Sequence, residues 1–192
     1  MNQGKEVFFV TGNNSKFEEA NNILSEFGIK VKQLKLDLEE IQHEDLGKIA
    51  ENKARQAFEK TGKNKMVFVD DTGLFIKSLK GFPGSNSKLV AKTLGADRLV
   101  KLIKGGANKA AFKSVIAVMG PGMSSPEVFE GKCHGKYLIK ARGKSADFVP
   151  YDRFFVPLGE TKTFAQMNLE QKNKYSSRAV SIRNLGKWLS RR

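Results

Sequence analysis

Short apolar runs alternate with apolar residues at helical spacing along the first third of the chain. Continuous runs over 7–10, 29–38 and 66–69 predict three strands, because buried strands read as uninterrupted apolar stretches. Apolar residues three or four apart predict one helix that ends near Gly28 and a second over 46–61 that ends at Gly62.

The same patterns continue through the rest of the chain. They predict a helix over 89–104, strands over 111–119, 127–139 and 152–156, and a last helix over 176–189. Alternating strands and helices, followed by hairpin-like strands, indicate an α/β fold with a mixed twisted sheet flanked by helices. With 192 residues, no internal repeat and no low-complexity linker, we expect a single domain over 1–192.

The composition is that of an ordinary globular protein, 40% hydrophobic and 28% charged. No apolar run approaches the roughly 18 residues of a membrane span, and no charged-then-apolar leader begins the chain. Cys133 is the single cysteine, so an intrachain disulfide is excluded. These features predict a cytoplasmic protein that does not enter a membrane.

The net charge of +14 is unevenly distributed. Nine basic residues against one acid lie over 77–113, and seven basic residues without an acid follow Glu170. The segment 37–51 reverses the sign, with six acids against Lys48. A basic surface attracts nucleotides, nucleic acid or an acidic partner protein, and composition does not separate these three.

Two carboxylates follow the predicted strand over 66–69. Asp70 and Asp71 stand where that strand ends, and hard divalent cations such as Mg²⁺ prefer carboxylate and phosphate oxygens. Together with the basic surplus, the pair predicts a metal-dependent enzyme acting on a nucleotide or polyphosphate. The alternative is that the two residues only open a turn, which aspartate often does.

Other polar residues are expected at the same edge of the sheet. The loop 11–16 joins the first strand to a helix start, where backbone N–H groups favour phosphate, and Lys16 adds a full charge. Glu40 follows the second strand and Lys53 lies on the next helix. If the first three strands are parallel, their ends bring these residues to one rim, where open α/β sheets bind ligands. Helix capping and solvent exposure are the alternatives.

Two further segments combine hydroxyls and cations. The turn 81–88 precedes a helix, and its Ser87 and Lys88 are candidates for contact with an anion. The segment 172–178 precedes the last helix and could read a base or a phosphate. Simple capping and surface charge are the alternative for the second segment.

The order of these motifs resembles the inosine triphosphate pyrophosphatase family over nearly the whole length. The resemblance rests on seven motifs in the family's order: Thr11-Gly12-Asn13 with Lys16, Glu40-Ile41-Gln42, Lys53-Ala54, Asp70-Asp71-Thr72-Gly73-Leu74, Gly81-Phe82-Pro83-Gly84 with Ser87-Lys88, Tyr151-Asp152 with Thr163-Phe164-Ala165, and Glu170 with Lys172-Asn173, Ser176 and Arg178.

The resemblance implies cleavage of deaminated purine nucleoside triphosphates (ITP, dITP, XTP) to monophosphate and pyrophosphate, with Mg²⁺ as cofactor. It also implies a homodimer, and the fold expected is then two lobes around a central nucleotide cleft. The implied roles are as follows: catalysis by Asp71; metal binding by Glu40, Asp70 and Asp71; phosphate binding by Thr11, Asn13, Lys16, Lys53, Ser87 and Lys88; base recognition by Tyr151, Asp152, Lys172, Ser177 and Arg178, with Tyr151 stacked on the purine.

Two departures from the family pattern fall in the base-recognition half. Val149-Pro150 replaces Phe-Gly, and proline has a fixed φ and no N–H. Ser177 replaces the histidine of Ser-His-Arg, and a serine reaches less far and carries no charge. The pattern therefore leaves the choice of base more open than the hydrolysis.

Two other functions compete with the enzyme. A nucleotide-binding sensor on the same scaffold would bind ITP or dITP and act through a protein partner, an acidic one given the basic surface. Nucleic-acid binding rests on the charge alone, because the sequence shows little interleaving of basic and aromatic residues, so nucleic acid is the least favoured partner.

Overall fold

The computed structural model describes residues 5–103, 108–144 and 150–192. These residues form a seven-stranded sheet in the order β2-β1-β3-β5-β6-β7, with β4 paired to β3. The strands are β1 Glu6–Val10, β2 Lys30–Leu34, β3 Val67–Ile76, β4 Pro83–Gly84, β5 Asn108–Met119, β6 Glu127–Tyr137 and β7 Phe155–Pro157. The α-helices are α1 Asn14–Ser25, α2 Leu46–Lys60, α3 Ser87–Thr93, α4 Ala96–Leu99, α5 Leu169–Tyr175 and α6 Ser177–Ser190.

The sheet is mixed, as predicted. Strand β1 pairs in parallel with both β2 and β3, whereas β4 runs antiparallel to β3 and β7 antiparallel to β6. Because β1, β2 and β3 are parallel, the carboxyl ends of β1 and β2 lie at one edge, and the register places Val10 beside the stretch of β3 that leads into Asp70 and Asp71. The predicted α/β class is confirmed.

The contacts divide the chain into two compact units. Unit 1 contains 1–71, 114–131 and 178–192, and unit 2 contains 72–113 and 132–177. The core of unit 1 packs β1, β2, β3 and β5 against α1 and α6, with Phe9 stacked on Phe68 at 4.4 Å between ring centroids. In unit 2 the core is more aromatic, and Phe112, Phe155 and Phe164 lie in mutual contact.

Side-chain caps fix where the first two helices begin. The carboxamide oxygen of Asn13 accepts the backbone N–H of Lys16 at 3.1 Å, and Asp45 accepts that of Gly47 at 2.7 Å. After α1, Gly28 takes a left-handed φ of 68°, a conformation that costs little without a Cβ. The loop before α1 is therefore held in place by its own sequence.

Several predicted bounds are wrong. Residues 35–38 lie outside β2, and β3 continues through Asp70 and Asp71 to Ile76, so the two aspartates do not open a turn. The predicted helix over 89–104 is interrupted at Gly95, whose φ of 82° is left-handed, and residue 104 lies outside the described residues. The stretch 152–156 is a 3₁₀ helix, Pro150–Arg153, followed by β7.

Two short elements, β4 and α5, had no counterpart in the sequence analysis. Helix α5 has seven residues, and Asn168 and Gln171 form a capping box at its start. Within 5–103, 108–144 and 150–192, none of the helices has the length and apolar character needed to cross a bilayer.

Candidate active site

The loop before α1 is ordered by its own polar groups. The backbone N–H of Asn13 donates to Thr11 Oγ1 at 3.1 Å, and the Asn13 carboxamide caps α1. At the other end of the loop Lys16 extends its Nζ to Asp70, 2.9 Å from Oδ2 and 3.1 Å from the backbone oxygen. The loop therefore presents a cation and helix N–H groups at the carboxyl end of β1.

One ammonium group bridges two carboxylates from different elements. Lys53 Nζ, on α2, donates to Glu40 Oε2 and to Asp71 Oδ1, each at 2.6 Å. The side chains of Lys53 and Asp71 are each only 13% exposed, whereas Glu40 is 44% exposed. The structure thus brings Glu40, Lys53 and Asp71 together, as the sequence predicted.

The second carboxylate oxygen of Asp71 has no hydrogen-bond partner although it is buried. Burial raises the pKa of the Asp71 carboxyl, and the attraction of Lys53 and Lys16 only partly offsets that rise. For Lys53 the balance is opposite: burial would lower its pKa, but the charges and hydrogen bonds of Asp71 and Glu40 raise it above the ordinary value. Asp71 is therefore a carboxylate with unused acceptor capacity beside a permanent cation.

Asp70 occupies a different environment from its neighbour. Its Oδ1 accepts the hydroxyl of Ser114 at 2.6 Å, and its Oδ2 accepts Nε of Arg178 at 2.9 Å as well as the Lys16 ammonium. Burial would raise the pKa of Asp70, but Lys16 and Arg178 hold it well below its usual range. Asp70 is therefore a fixed negative charge that orients two cations.

The Arg178 guanidinium is buried between two carboxylates. Besides Asp70, it donates through Nη1 to Glu19 Oε2 at 2.6 Å. Burial would lower the pKa of Arg178, but the charges of Asp70 and Glu19 raise it. Arg178 was predicted to frame the base. Its observed partners instead place it with the carboxylate end of the site, and a role at the base stays a prediction.

A divalent cation fits part of the predicted ligand set. Mg²⁺ is usually held by one or two carboxylates together with substrate phosphates, and the unpartnered Oδ2 of Asp71 is an acceptor of that kind. Glu40 shares Lys53 with Asp71. Asp70, by contrast, already binds Lys16, Arg178 and Ser114 through both oxygens. Across the part of the chain that the structure describes, no three His, Cys, Asp or Glu residues form a metal-binding group.

In unit 2 the structure pairs two of the predicted base-binding residues. Lys172 Nζ, on α5, lies 2.7 Å from Asp152 Oδ2, and both side chains are mostly buried. The same ammonium stands 5.7 Å from the ring centroid of Phe164. Ser177 is the first residue of α6 and is buried. Of the two residues that replace the family's Phe-Gly, Pro150 begins a 3₁₀ helix, and Val149 lies outside the described residues.

Two predicted contacts receive no support from the placement of their side chains. Tyr151 is 6% exposed in the core of unit 2 and donates its hydroxyl to the Ser87 carbonyl at 2.8 Å, so little ring surface is open for stacking on a purine. Ser87 gives its single hydroxyl proton to Gly84 O and accepts the N–H of Leu74. Its hydroxyl is therefore committed to the β4 turn rather than to a phosphate. Lys88 is exposed.

Comparison with known proteins identifies the family of this chain. The pattern of the Ham1 family matches residues 7–188. The chain belongs to the Ham1 family. The dITP/XTP pyrophosphatase of Methanopyrus kandleri is 39% identical over 183 residues, 95% of each chain. That of Thermococcus kodakarensis is 39% identical over 182 residues, covering 94% of this chain and 95% of the relative.

Solved Ham1 structures have the same fold. The Ham1 protein of Staphylococcus aureus gives a TM-score of 0.79 at 28% identity and covers 96% of this chain and 98% of its own. The HAM1 protein of Coxiella burnetii gives 0.83 at 25% identity, with 98% and 100% covered. These matches confirm the resemblance and the fold class predicted from the motifs.

The sequence analysis missed three residues of this candidate site. Glu19 binds Arg178, Ser114 binds Asp70, and Ser181 lies 3.0 Å from Ser114 between the two hydroxyl oxygens. A signal existed for each, because each is a polar residue on a buried face. Glu19 lies four residues before Ile23 on the core side of α1, and Ser114 alternates with Phe112 and Ile116 along β5.

Proposed function

We propose that this chain hydrolyses deaminated purine nucleoside triphosphates, ITP, dITP and XTP, to the monophosphate and pyrophosphate, with Mg²⁺ as cofactor. The observation that carries the proposal is the cluster of Glu40, Lys53 and Asp71, with one Asp71 oxygen buried and unpartnered. Membership of the Ham1 family and the names of the archaeal relatives support the same reaction.

Asp71 and Glu40 would hold the cation. The chemistry that Mg²⁺ would supply there is neutralisation of charge on the phosphate oxygens. Phosphoryl chemistry depends mainly on positioning and electrostatic stabilisation, so the remaining work falls to the cations of the chain. Lys16 and Lys53 stand beside the two aspartates, and Thr11, Asn13 and Lys88 complete the proposed phosphate contacts.

Asp71 is our candidate for the general base. In the proposed step a water oxygen bonds to the α-phosphorus, the bond from that phosphorus to the α–β bridging oxygen breaks, and pyrophosphate leaves. Asp71 accepts a proton from the attacking water. Its raised pKa suits this role, because a base with a pKa nearer the working pH holds the proton better in the transition state. Asp70 keeps Lys16 in place for the leaving phosphates.

The paired Asp152 and Lys172 are our candidates for recognition of the 6-oxo edge. A site built around hydrogen bonds to a keto oxygen leaves those groups unpaired when an amino group replaces it, and this gives discrimination against adenine. Ser177 at the start of α6 and Arg178 remain proposed members of this end. Serine in place of histidine predicts a different ranking of ITP, dITP and XTP from that of relatives with the imidazole.

The reaction is tested by supplying ITP, dITP, XTP, GTP and ATP with Mg²⁺ and following pyrophosphate release and nucleotide binding in parallel. We expect release from the three deaminated substrates to exceed release from ATP by at least about tenfold in kcat/KM, a difference of roughly 1.4 kcal/mol. GTP, which has the same 6-oxo group, measures the effect of the 2-amino group. Tight binding with negligible release would favour the sensor. Equal rates for all five nucleotides would contradict the proposed base preference.

The pH dependence provides a second test. Lys53→Met removes the nearest positive charge from Asp71, so we expect the pKa of Asp71 to rise further. If ionised Asp71 is the base, the acid limb of log(kcat/KM) then moves to higher pH. The matched control is Lys48→Met, an exposed lysine on the same helix, which should leave the limb where it is. A limb unmoved by Lys53→Met would exclude Asp71 as the group that titrates.

Other features remain predictions. A single domain over 1–192 is supported by one family pattern covering residues 7–188. The homodimer, the central nucleotide cleft, the acidic protein partner and the cytoplasmic location rest on the sequence analysis, and size-exclusion chromatography with light scattering would measure the first of them.

A further inference from the structure

A groove of about 360 Å³ lies on unit 1, and none of the residues assigned to the reaction lines it. The end of α6 and the start of β6 form its walls. The helix residues that face it follow one helical stripe, at spacings of three and four. They are Asn184, Lys187, Trp188 and Arg191, and Phe129 lies opposite.

The groove combines aromatic surface with positive charge. Trp188 packs edge-to-face on Phe129 at 5.7 Å, and the Arg192 guanidinium stands 4.2 Å from the centroid of the Trp188 ring. Lys187, Arg191 and Arg192 are all exposed, and Glu130 is the acid that lines the groove. From residue 171 onwards the sequence contains no acid, so the cations of α6 have no acidic residue on their own helix.

Hydrogen bonds from neighbouring segments also hold the backbone around the groove in place. Lys5 Nζ donates to the carbonyl oxygens of Leu189 at 2.7 Å and Ser190 at 3.2 Å, which satisfies orphan carbonyls at the end of α6. Asn184 donates to the Glu130 carbonyl, which ties the helix to β6. The aromatic and cationic side chains therefore project from a fixed backbone.

We propose that this groove binds single-stranded nucleic acid. Unstacked bases bind aromatic rings and guanidinium planes, and positive side chains follow the phosphate backbone. The Trp188–Arg192 stack offers the planar surface, and Lys187 and Arg191 offer the charges. A duplex hides its base faces, and an acidic peptide would bind through the charges without requiring the aromatic surface. A membrane surface would need a broad apolar face, which this concave groove lacks.

Trp188 is the only tryptophan of the chain, so its fluorescence reports directly on the groove. We expect 12-mers of dT and rU to quench it with micromolar affinity at 50 mM salt. Two phosphate contacts, from Lys187 and Arg191, predict an affinity about 7-fold weaker at 200 mM salt than at 50 mM salt, from the slope of roughly −0.7 per contact for single strands. Replacing Lys187, Arg191 and Arg192 together by alanine should abolish the quenching while pyrophosphate release persists.

The matched control removes the same charge elsewhere, through Lys77→Ala, Lys80→Ala and Lys101→Ala, three exposed lysines of unit 2. The proposal is overturned if this control weakens binding as much as the groove triple. It is equally overturned if UMP competes as well as the 12-mer, if only phosphatidylglycerol vesicles change the emission, or if no oligonucleotide binds at 50 mM salt. The outcome is independent of the proposed hydrolysis.

Discussion

We expect Asp71→Asn to lower kcat for pyrophosphate release by about 10²–10⁴-fold, the range attributed to a positioned general base. The carboxamide preserves the shape of the side chain and can still accept a hydrogen bond from Lys53, but it no longer takes a proton from water. Nucleotide affinity should change by only a few fold, since Lys16 and Lys53 remain.

Steady-state kinetics and equilibrium binding, measured on the same preparation, separate these two effects. Glu44→Gln is a suitable control, because it removes an exposed carboxylate by the same chemical change and should leave kcat within a factor of two, or about 0.4 kcal/mol. Release from Asp71→Asn at the unmodified rate would remove Asp71 from the mechanism. Loss of nucleotide binding with an unchanged kcat would mean that Asp71 contributes to substrate binding and not to the chemical step.

The second large effect is expected in stability. Arg178→Met leaves the buried carboxylates of Glu19 and Asp70 without their shared partner, and breaking a buried ion pair in this way costs about 3–5 kcal/mol. Lys187→Met on the exposed face of the same helix should change the free energy of unfolding by less than about 0.5 kcal/mol. Urea denaturation of both variants at pH 7 measures the difference.

The direction in which the stability difference changes with pH tests whether the buried carboxylates cause it. In the unmodified protein the pKa of Asp70 is depressed, so its contribution to stability is present above the unfolded value of about 3.9 and is lost as the pH falls through the folded one. In the variant Asp70 keeps Lys16 and Ser114, but both Asp70 and Glu19 lose the positive charge of Arg178, so their carboxyl groups protonate more readily. The stability difference should therefore narrow between pH 7 and pH 4.

The double variant Glu19→Gln with Arg178→Met also removes the charge of Glu19, which has lost its guanidinium partner. It should therefore recover part of the lost free energy of unfolding. Should Arg178→Met prove too unstable to purify, the double variant carries the measurement. This prediction is wrong if Arg178→Met is as stable as the unmodified protein at pH 7, or if the stability difference between them grows as the pH falls.

Local pattern predicted the elements best where burial is uniform. Strand β1 and helix α2 lie within one residue of the predictions, and α1 ends three residues before the predicted Gly28, because their apolar periodicity is unbroken. Strand β3 was predicted too short for a specific reason: aspartate is unfavourable inside a strand. Lys16 and Arg178, far away in sequence, neutralise Asp70, and no local window contains that information.

The site shows the same division between local and distant information. Adjacent carboxylates and a loop lysine were visible in the sequence, and the structure brings them together. What a side chain does with its hydroxyl or ring was not visible. Tyr151 and Ser87 are polar enough to suggest contact with a ligand, but the hydroxyl groups of both form hydrogen bonds within unit 2. Basic and aromatic residues are little interleaved in the linear sequence, and the stacking of Arg192 on Trp188 appears only in the structure.

The bond between Asp70 and Arg178 has a consequence for biosynthesis. The loop and strand that carry Lys16 and Asp70 leave the ribosome early, but the guanidinium that accompanies them belongs to the last helix. A nascent chain shorter than 178 residues holds a carboxylate that cannot enter the interior without cost. Catalytic competence should therefore arise only after translation of the final helix, and prematurely terminated chains should be both inactive and prone to degradation.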